Sequence, residues 1–162
     1  MTDEQKEFLH LHLIEQINYK TISGKLNVPI KILSMWYEEF KSEREGIAKI
    51  LKMHSAQKFN STRMEFYNWY TGLKRKCEYC EITEAEIQSL LDKEQLKTKR
   101  LKTRGRKLEL DRKIPDLKYE KLDNIVLCCY WCNNAKTDTF TYEEFKEVGK
   151  VISKIWKKRL SS

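Results

Sequence analysis

The sequence lacks the features that mark exported or membrane-inserted proteins. It has no run of 18 or more apolar residues, and its N-terminus shows no signal-like pattern. It also shows no internal repeat. We therefore expect the protein in the cytoplasm, where thiols stay reduced and disulfides are rare. The five cysteines of the chain are then expected to be free or to bind a metal ion.

The charges of the chain point to a polyanionic partner. Lysine and arginine number 32 against 24 aspartates and glutamates, which gives a formal net charge of +8. Nucleic acid is the commonest partner of a protein with such an excess of positive charge. With 162 residues, the chain can form one domain of ordinary size, or a small core with an appendage.

Four of the cysteines are arranged as two pairs, Cys77 with Cys80 and Cys129 with Cys132. Two C-x2-C turns suit tetrahedral zinc, and a shell of four thiolates has no open position, so we expect a structural Zn²⁺. A zinc ribbon without chemistry is an alternative, but ribbons usually separate their pairs by about 15–20 residues, and these pairs lie much farther apart. The fifth cysteine, Cys128, is expected in a buried strand, or as a ligand in place of Cys129.

The segment between the two cysteine pairs predicts a β-hairpin, with strands at Leu108–Asp111 and Ile125–Cys128. A helix is expected to begin near Asn133. A hairpin and a helix held by zinc resemble the ββα-metal core of the HNH nucleases. With the helical patterns elsewhere in the chain, we predict a mainly α fold with a small β-hairpin (α+β).

The resemblance extends to a series of short motifs that occur in the same order in HNH-type restriction endonucleases. It covers about residues 54–156, with a gap around 92–107. Besides the two cysteine pairs, the motifs are Trp69-Tyr70, Ile82-Thr83-Glu84-Ala85, Leu110-Asp111-Arg112, Asn133 and Lys136.

This resemblance implies a bacterial or phage-encoded endonuclease that cuts double-stranded DNA with a divalent metal, in the manner of a type II restriction enzyme. A double-strand cut needs two active sites, so a homodimer is expected. One alternative is a homing or phage HNH nuclease. Another is a non-catalytic regulator that binds DNA through its zinc and helix-turn-helix modules.

Most HNH nucleases carry a general-base histidine after the aspartate of the first strand, whereas this chain has Asp111-Arg112. Its three histidines lie outside the core motif, at His10, His12 and His54. The chain is then either an inactive nuclease or one with the variant site of the HNH-type restriction endonucleases that it resembles. The variant implies that Asp111 and Asn133 bind Mg²⁺ or Mn²⁺, which prefer such oxygen ligands.

The same resemblance implies roles for the other site residues. Arg112 would clamp the scissile phosphate, and Tyr70 would lie beside it to orient or deprotonate the attacking water. His54 is a candidate general base, because the pKa of histidine suits that task. Asn124 is expected to brace the hairpin loop.

The first part of the chain has a helical pattern, and three helices with a turn at Asn27-Val28-Pro29 resemble a homeodomain-like helix-turn-helix. The third helix is expected to bury Ile30, Leu33, Trp36 or Tyr37, and Phe40. Whether this module contacts DNA or serves packing is left open, since acidic residues on its third helix would repel phosphate. We predict a helix-turn-helix-like module at 1–45, a helical connector at 46–60 and a nuclease domain at 61–162.

Two further segments are distinctive. A basic stretch is interpreted either as a solvated loop or as an arm that binds DNA phosphates, and its members are Lys97, Lys99, Arg100, Lys102, Arg104, Arg106 and Lys107. A capping-box pattern at Thr141 predicts the start of a C-terminal helix. That helix is expected to close the zinc core, or to form a dimer interface.

Overall fold

The computed structural model describes residues 1–96, 104–119 and 121–161. Over these residues the chain has eight α-helices and one two-stranded antiparallel sheet. The predicted mainly α fold with a small β-hairpin is confirmed. The chain divides into two compact units, Met1–Gly72 and Leu73–Ser162.

The first unit is entirely helical in its regular structure. Its helices are α1 (Asp3–Leu9), which continues as a π-helical segment (His10–Ile14), α2 (Tyr19–Leu26), α3 (Ile30–Glu39), α4 (Lys41–Gln57) and α5 (Arg63–Gly72). The core contains large apolar side chains that recur at helical spacing. Its buried members are Phe8, Leu9, Leu11, Ile22, Leu33 and Phe40.

Local sequence signals explain where these helices begin and end. Thr2 forms a capping box with Gln5 at the start of α1, and the Asn18 side chain accepts a hydrogen bond from the third residue of α2. Helix α2 ends at Asn27, whose φ of 53° is left-handed, a conformation that asparagine tolerates. Pro29 then precedes α3, where a missing amide hydrogen costs nothing.

The prediction that Ile30 is buried is wrong. Its side chain is exposed, whereas Leu33 and Phe40 are buried as expected. Ile30 is the first residue of α3, and Leu33, one turn later, faces the core. The apolar spacing of a helix predicts which residues share a face, but it does not predict at which turn that face meets the core.

The boundary between the units falls after Gly72, inside the range 61–162 that we assigned to a nuclease domain. Helix α5 belongs to the first unit, because the buried Phe66 ring packs against His54 and Phe59, at centroid distances of 5.2 and 4.7 Å. The functional division at 45 and 60 stays a prediction.

The second unit contains the hairpin and the cysteine pairs. Its elements are α6 (Glu84–Asp92), β1 (Glu109–Arg112), a 3₁₀ turn (Leu122–Asn124), β2 (Ile125–Cys128), α7 (Tyr130–Lys136) and α8 (Tyr142–Leu160). Glu109 pairs with Cys128, and Asp111 pairs with Val126. Strand β1 starts one residue later than predicted, because the backbone amide of Leu108 donates to Glu84 at 3.0 Å instead of joining the ladder.

Helix α7 begins at Tyr130, three residues before the predicted start near Asn133. The second cysteine pair therefore lies in the first turn of this helix. The Cys129 thiol acts as the N-cap and accepts a hydrogen bond from the amide of Cys132 at 3.4 Å. Sequence rules for helix starts rely on serine, threonine, aspartate and asparagine, so they missed a sulfur cap.

Asn124 braces the loop between the strands, as predicted. Its amide nitrogen donates to the carbonyl oxygens of Ile114 and Leu117, at 3.1 and 2.8 Å. Its oxygen accepts from the amide of Ile114 at 3.0 Å. Three hydrogen bonds from one buried side chain fix the path of the chain immediately after β1.

Helix α8 starts at the predicted capping box, where Thr141 and Glu144 bond reciprocally. It packs closely on the first cysteine pair at Gly149, where a Cβ atom would lie 2.4 Å from the carbonyl oxygen of Tyr79. No helix of the described residues combines the length and the apolarity that crossing a membrane requires.

We expect Gly149→Ala to destabilise the second unit. The added methyl group meets backbone atoms of Tyr79, so helix and cysteine turn must move apart, at a cost of about 1–3 kcal/mol. The control is Gly46→Ala in α4, where the new Cβ has no heavy atom within 4 Å and should stabilise by about 0.5–1 kcal/mol. Urea unfolding followed by circular dichroism measures both, and equal stability of the two variants would contradict the close packing.

Candidate metal centre and active site

The four cysteines predicted as zinc ligands form one cluster. Their sulfur atoms all lie within 4.8 Å of one another, and all four residues are buried. The Cys80 and Cys129 sulfurs are 3.7 Å apart. Tetrahedral zinc with Zn–S bonds of about 2.3 Å separates its sulfurs by about 3.8 Å. The cluster could therefore hold a zinc ion, with no position left for substrate.

Backbone hydrogen bonds in the first cysteine turn direct the sulfurs of Cys77 and Cys80 toward one point. The Cys77 amide donates to the carbonyl of Ile82, and the Glu81 amide donates to the carbonyl of Cys77, both at 2.9 Å. Glu81 has a left-handed φ of 63°, which closes the turn. The amide of Glu78 then donates to Leu127 of β2 at 2.8 Å and docks the turn on the hairpin.

Cys129, rather than Cys128, contributes to the cluster. Cys128 is the last residue of β2, where its side chain is buried and its backbone is paired with Glu109. Burial raises the pKa of the Cys128 thiol above its usual range, and the nearby Asp111 carboxylate adds to this shift. Cys128 is thus a neutral side chain of the core, and the alternative that it replaces Cys129 does not hold.

Asp111 occupies a polar site on the hairpin. Its Oδ2 atom accepts a hydrogen bond from the Tyr79 hydroxyl at 2.7 Å and lies 3.5 Å from the ammonium of Lys136. Burial and the Asp111 carboxylate raise the pKa of Tyr79 above its usual range, so the phenol stays protonated and donates. These two contacts fix the orientation of the carboxylate.

Lys136 is fully buried, which is rare for a lysine. Besides its contact with Asp111, its ammonium donates to the backbone carbonyl of Arg112 at 2.8 Å. The last turn of α7 is therefore joined to the last two residues of β1 through one cation. Removing one member of such a buried pair typically costs about 3–5 kcal/mol.

Asn133 lies one turn before Lys136 in α7. Its amide nitrogen donates to Glu109 Oε2 at 2.8 Å, so its amide oxygen is the atom that can bind a cation. Glu109 also accepts from Arg104 Nε at 2.9 Å. Glu109 was not among the residues singled out from the sequence. Glu109 lies two residues before Asp111, so both side chains are on the same side of the strand. This spacing could have identified Glu109 as a site residue.

Arg112 is held at the end of β1 by contacts of its guanidinium group. One nitrogen donates to the carbonyl of Pro115 at 2.5 Å, and another lies 3.9 Å from Asp138. The guanidinium carbon is 5.4 Å from the centroid of the Tyr119 ring. With 30% of its side-chain surface exposed, Arg112 can reach a bound anion.

Tyr119 is the aromatic residue beside Arg112, and sequence reasoning missed it. It is the single tyrosine between the two strands, which was the signal that could have found it. Burial raises the pKa of Tyr119, although the Arg112 guanidinium acts in the opposite direction. A phenol in this state donates a hydrogen bond at neutral pH and does not act as a base.

Tyr70 and His54 lie in the first unit, and their catalytic roles stay predictions. The His54 Nε2 atom donates to the carbonyl of Ser61 at 2.7 Å, and its ring stacks on Phe59 with centroids 6.2 Å apart. A neutral His54 fixed in this way has Nδ1 as its proton acceptor. The Tyr70 ring stacks on Phe66 at 6.0 Å.

The structure describes three of the seven basic residues predicted to bind DNA. Arg104 pairs with Glu109, and Lys107 lies 3.3 Å from Glu84. Arg106 is exposed. The other four lie outside the described residues, namely Lys97, Lys99, Arg100 and Lys102.

Neighbouring cysteines offer a matched test of the metal centre. Cys129→Ala should reduce bound zinc from one ion per chain to none, because three thiolates leave the shell incomplete. Cys128→Ala should keep the ion, since its side chain lies outside the cluster. Zinc is measured by mass spectrometry of the purified proteins, and zinc loss in Cys128→Ala alone would refute the assignment.

Comparisons with known proteins agree with this geometry. No protein-family model and no curated protein sequence matches the chain. Among solved structures, the chain is similar to PacI, a rare-cutting HNH restriction endonuclease, with a TM-score of 0.51 and 28% sequence identity. The match covers 69% of this chain and 77% of PacI. The chain therefore has an HNH-like fold, and this similarity suggests a nuclease function.

Proposed function

We propose that this protein is a site-specific DNA endonuclease that hydrolyses double-stranded DNA with a divalent metal, as type II restriction enzymes do. One observation carries the proposal. A hairpin and helix joined to a four-cysteine cluster bear Asp111, Arg112 and Asn133, in a fold similar to that of an HNH restriction endonuclease.

We assign the catalytic Mg²⁺ or Mn²⁺ to Asp111 and Asn133. Tyr79 and Lys136 both engage Asp111 Oδ2, so Oδ1 is the oxygen proposed to bind the cation. When bound, the metal supplies stabilisation of the charge that develops on the phosphate and the leaving oxygen. Lys136 offsets part of the Asp111 charge, and we expect weak metal binding of the kind that leaves several waters on Mg²⁺.

The remaining groups would act on the phosphate and the water. Arg112 carries a permanent charge and would bind the non-bridging phosphate oxygens. Tyr119 would donate a hydrogen bond to the same phosphate or to the attacking water. His54, whose Nε2 donates to the carbonyl of Ser61, is the proposed general base, and Tyr70 stays a candidate for orienting the water.

We further propose that the basic segment binds the DNA backbone. Arg104 and Lys107 pair with carboxylates in the free protein. DNA phosphates would compete for these cations, because a polyanion gains free energy from released counterions. The helix-turn-helix-like module receives no such role, since the exposed acids Glu38 and Glu39 near the C-terminal end of α3 would repel phosphate.

The decisive experiment is incubation of the purified protein with plasmid DNA and Mg²⁺. Discrete fragments indicate a site-specific nuclease, and smearing indicates a non-specific one. A mobility shift without cutting would replace the proposal by a DNA-binding regulator.

Substitutions at the proposed site should show which of its residues contribute to cleavage. Arg112→Ala should lower kcat by about 10²–10³-fold, the usual loss when one group that stabilises transition-state charge is removed. Tyr119→Phe and Tyr70→Phe each remove only a hydroxyl group. The variant with the larger loss of kcat identifies the tyrosine that takes part in cleavage. Lys52→Ala on the exposed side of α4 is the control for a lost positive charge. Normal cutting by Arg112→Ala, with zinc retained, would show that the site is misplaced.

The role of the basic segment can be tested by the salt dependence of DNA binding without Mg²⁺. Each phosphate contact contributes about −0.9 to the slope of log affinity against log salt. The double variant Arg106→Gln/Lys107→Gln should therefore make the slope less steep by about 1–2. Lys52→Gln on the exposed side of α4 is the control. An unchanged slope in the double variant would exclude a role of the basic segment in binding DNA phosphates.

A further inference from the structure

The outer face of α8 carries a row of exposed apolar side chains, which we call the α8 stripe. Its members are Val148, Val151 and Ile155, which recur at i, i+3 and i+7 and so lie on one side of the helix. Val151 is 57% exposed, Ile155 44% and Val148 36%. Scattered exposed apolar residues need no explanation, but an aligned row on one helix marks a contact surface.

A separate face of α8, turned by roughly 110° from the α8 stripe at about 100° per residue, holds the helix to its own unit. Phe145, Gly149 and Trp156 are buried there, and Gly149 leaves no room for a side chain against Tyr79. The helix is therefore seated on the first cysteine turn without help from the α8 stripe. The α8 stripe is therefore an exposed surface with a fixed orientation.

The charges along α8 are divided between its two ends. The first two turns carry the exposed acids Glu143, Glu144 and Glu147, the last of which pairs with Lys150 of its own helix at 2.6 Å. The C-terminal part carries the exposed bases Lys154, Lys157, Lys158 and Arg159. A parallel partner helix of the same sequence would place like charges together, whereas an antiparallel one places the acidic end against the basic end.

We propose that α8 packs antiparallel against α8 of a second copy of this chain, about a two-fold axis near Val151. In this arrangement the two α8 stripes cover each other, and Glu147 of each copy approaches Lys154 of the other. Such an interface is self-complementary, as two-fold symmetry requires. It names the contact surface of the homodimer that the proposed double-strand cut needs, and in that respect it rests on the proposed function.

The small size of the α8 stripe limits the affinity of the two copies for each other. Seven residues of helix span about 10 Å, at about 1.5 Å per residue. That is small beside a standard interface, which buries about 800 Å² on each partner. We therefore expect a dissociation constant of about 1 µM or weaker in the absence of DNA.

Sedimentation velocity of the full chain without DNA or Mg²⁺ tests the interface. The wild-type protein should shift from monomer to dimer as its concentration rises. Val151→Asp places two carboxylates together at the axis and should raise the dissociation constant by at least about a hundredfold. Met35→Asp is the matched control, because Met35 is also helical and also 57% exposed but lies outside the stripe. Zinc content and circular dichroism verify that both variants fold.

A charge exchange tests the antiparallel direction. Glu147→Lys alone should weaken the dimer, since it brings positive charges together, and Glu147→Lys/Lys154→Glu should restore it. A wild-type monomer at all concentrations, an unaffected Val151→Asp dimer or a failed rescue would overturn the inference. Because mass is measured without substrate, an inactive protein that dimerises refutes only the proposed function, and an active one that stays monomeric refutes only this interface.

Discussion

The second unit depends on the junction of two short segments that are distant in sequence, one ending at Cys80 and the other beginning at Cys129. A hairpin of two four-residue strands is marginal by itself in water. Here the sulfur cluster ties it to the first cysteine turn, and α8 closes over that turn at Gly149. Binding of structural zinc to small domains contributes about 10–16 kcal/mol of apparent free energy, enough to hold such a unit together.

The candidate active site is built on this junction and shares its supports. The cysteine turn that supplies Cys77 and Cys80 also supplies Tyr79, which bonds to Asp111. Helix α7, which is capped by Cys129, also supplies Lys136, whose buried ammonium joins Asp111 and the backbone of Arg112. The cysteine cluster and the proposed catalytic residues are therefore linked through one or two hydrogen bonds. Loss of the first should disorder the second without any direct contact with substrate.

The four-cysteine cluster and the proposed catalytic metal site differ in the chemistry of their ligands. Four buried thiolates form a closed shell that suits zinc and excludes substrate. Asp111, whose side chain is 13% exposed, and the amide oxygen of Asn133 offer hard oxygen atoms, and the cation proposed to bind them would be one that stays partly hydrated. Glu109 and Lys136 adjust the local charge in opposite directions.

Most of the secondary structure followed from short-range patterns. Apolar spacing and capping residues located most of the helices, as at the capping box of Thr141. The predicted strand β1 was displaced by one residue, because a distant carboxylate, Glu84, takes the amide of Leu108. The start of α7 was missed because a thiol serves as its cap. Each error arose where a partner far along the chain, or an unusual chemical group, replaced a local rule.

The sequence by itself determined most of the helices, the hairpin, the pairing of cysteines into C-x2-C turns and the acidic and basic residues of β1. These properties depend on neighbours within one or two turns of the chain. Only the tertiary structure decided that Cys129 and not Cys128 joins the cluster, that Lys136 is buried beside Asp111, and that Tyr119 stands next to Arg112. The physical reason is that such contacts join residues whose separation is set by the path of the backbone between them, and local propensity carries no information about that path.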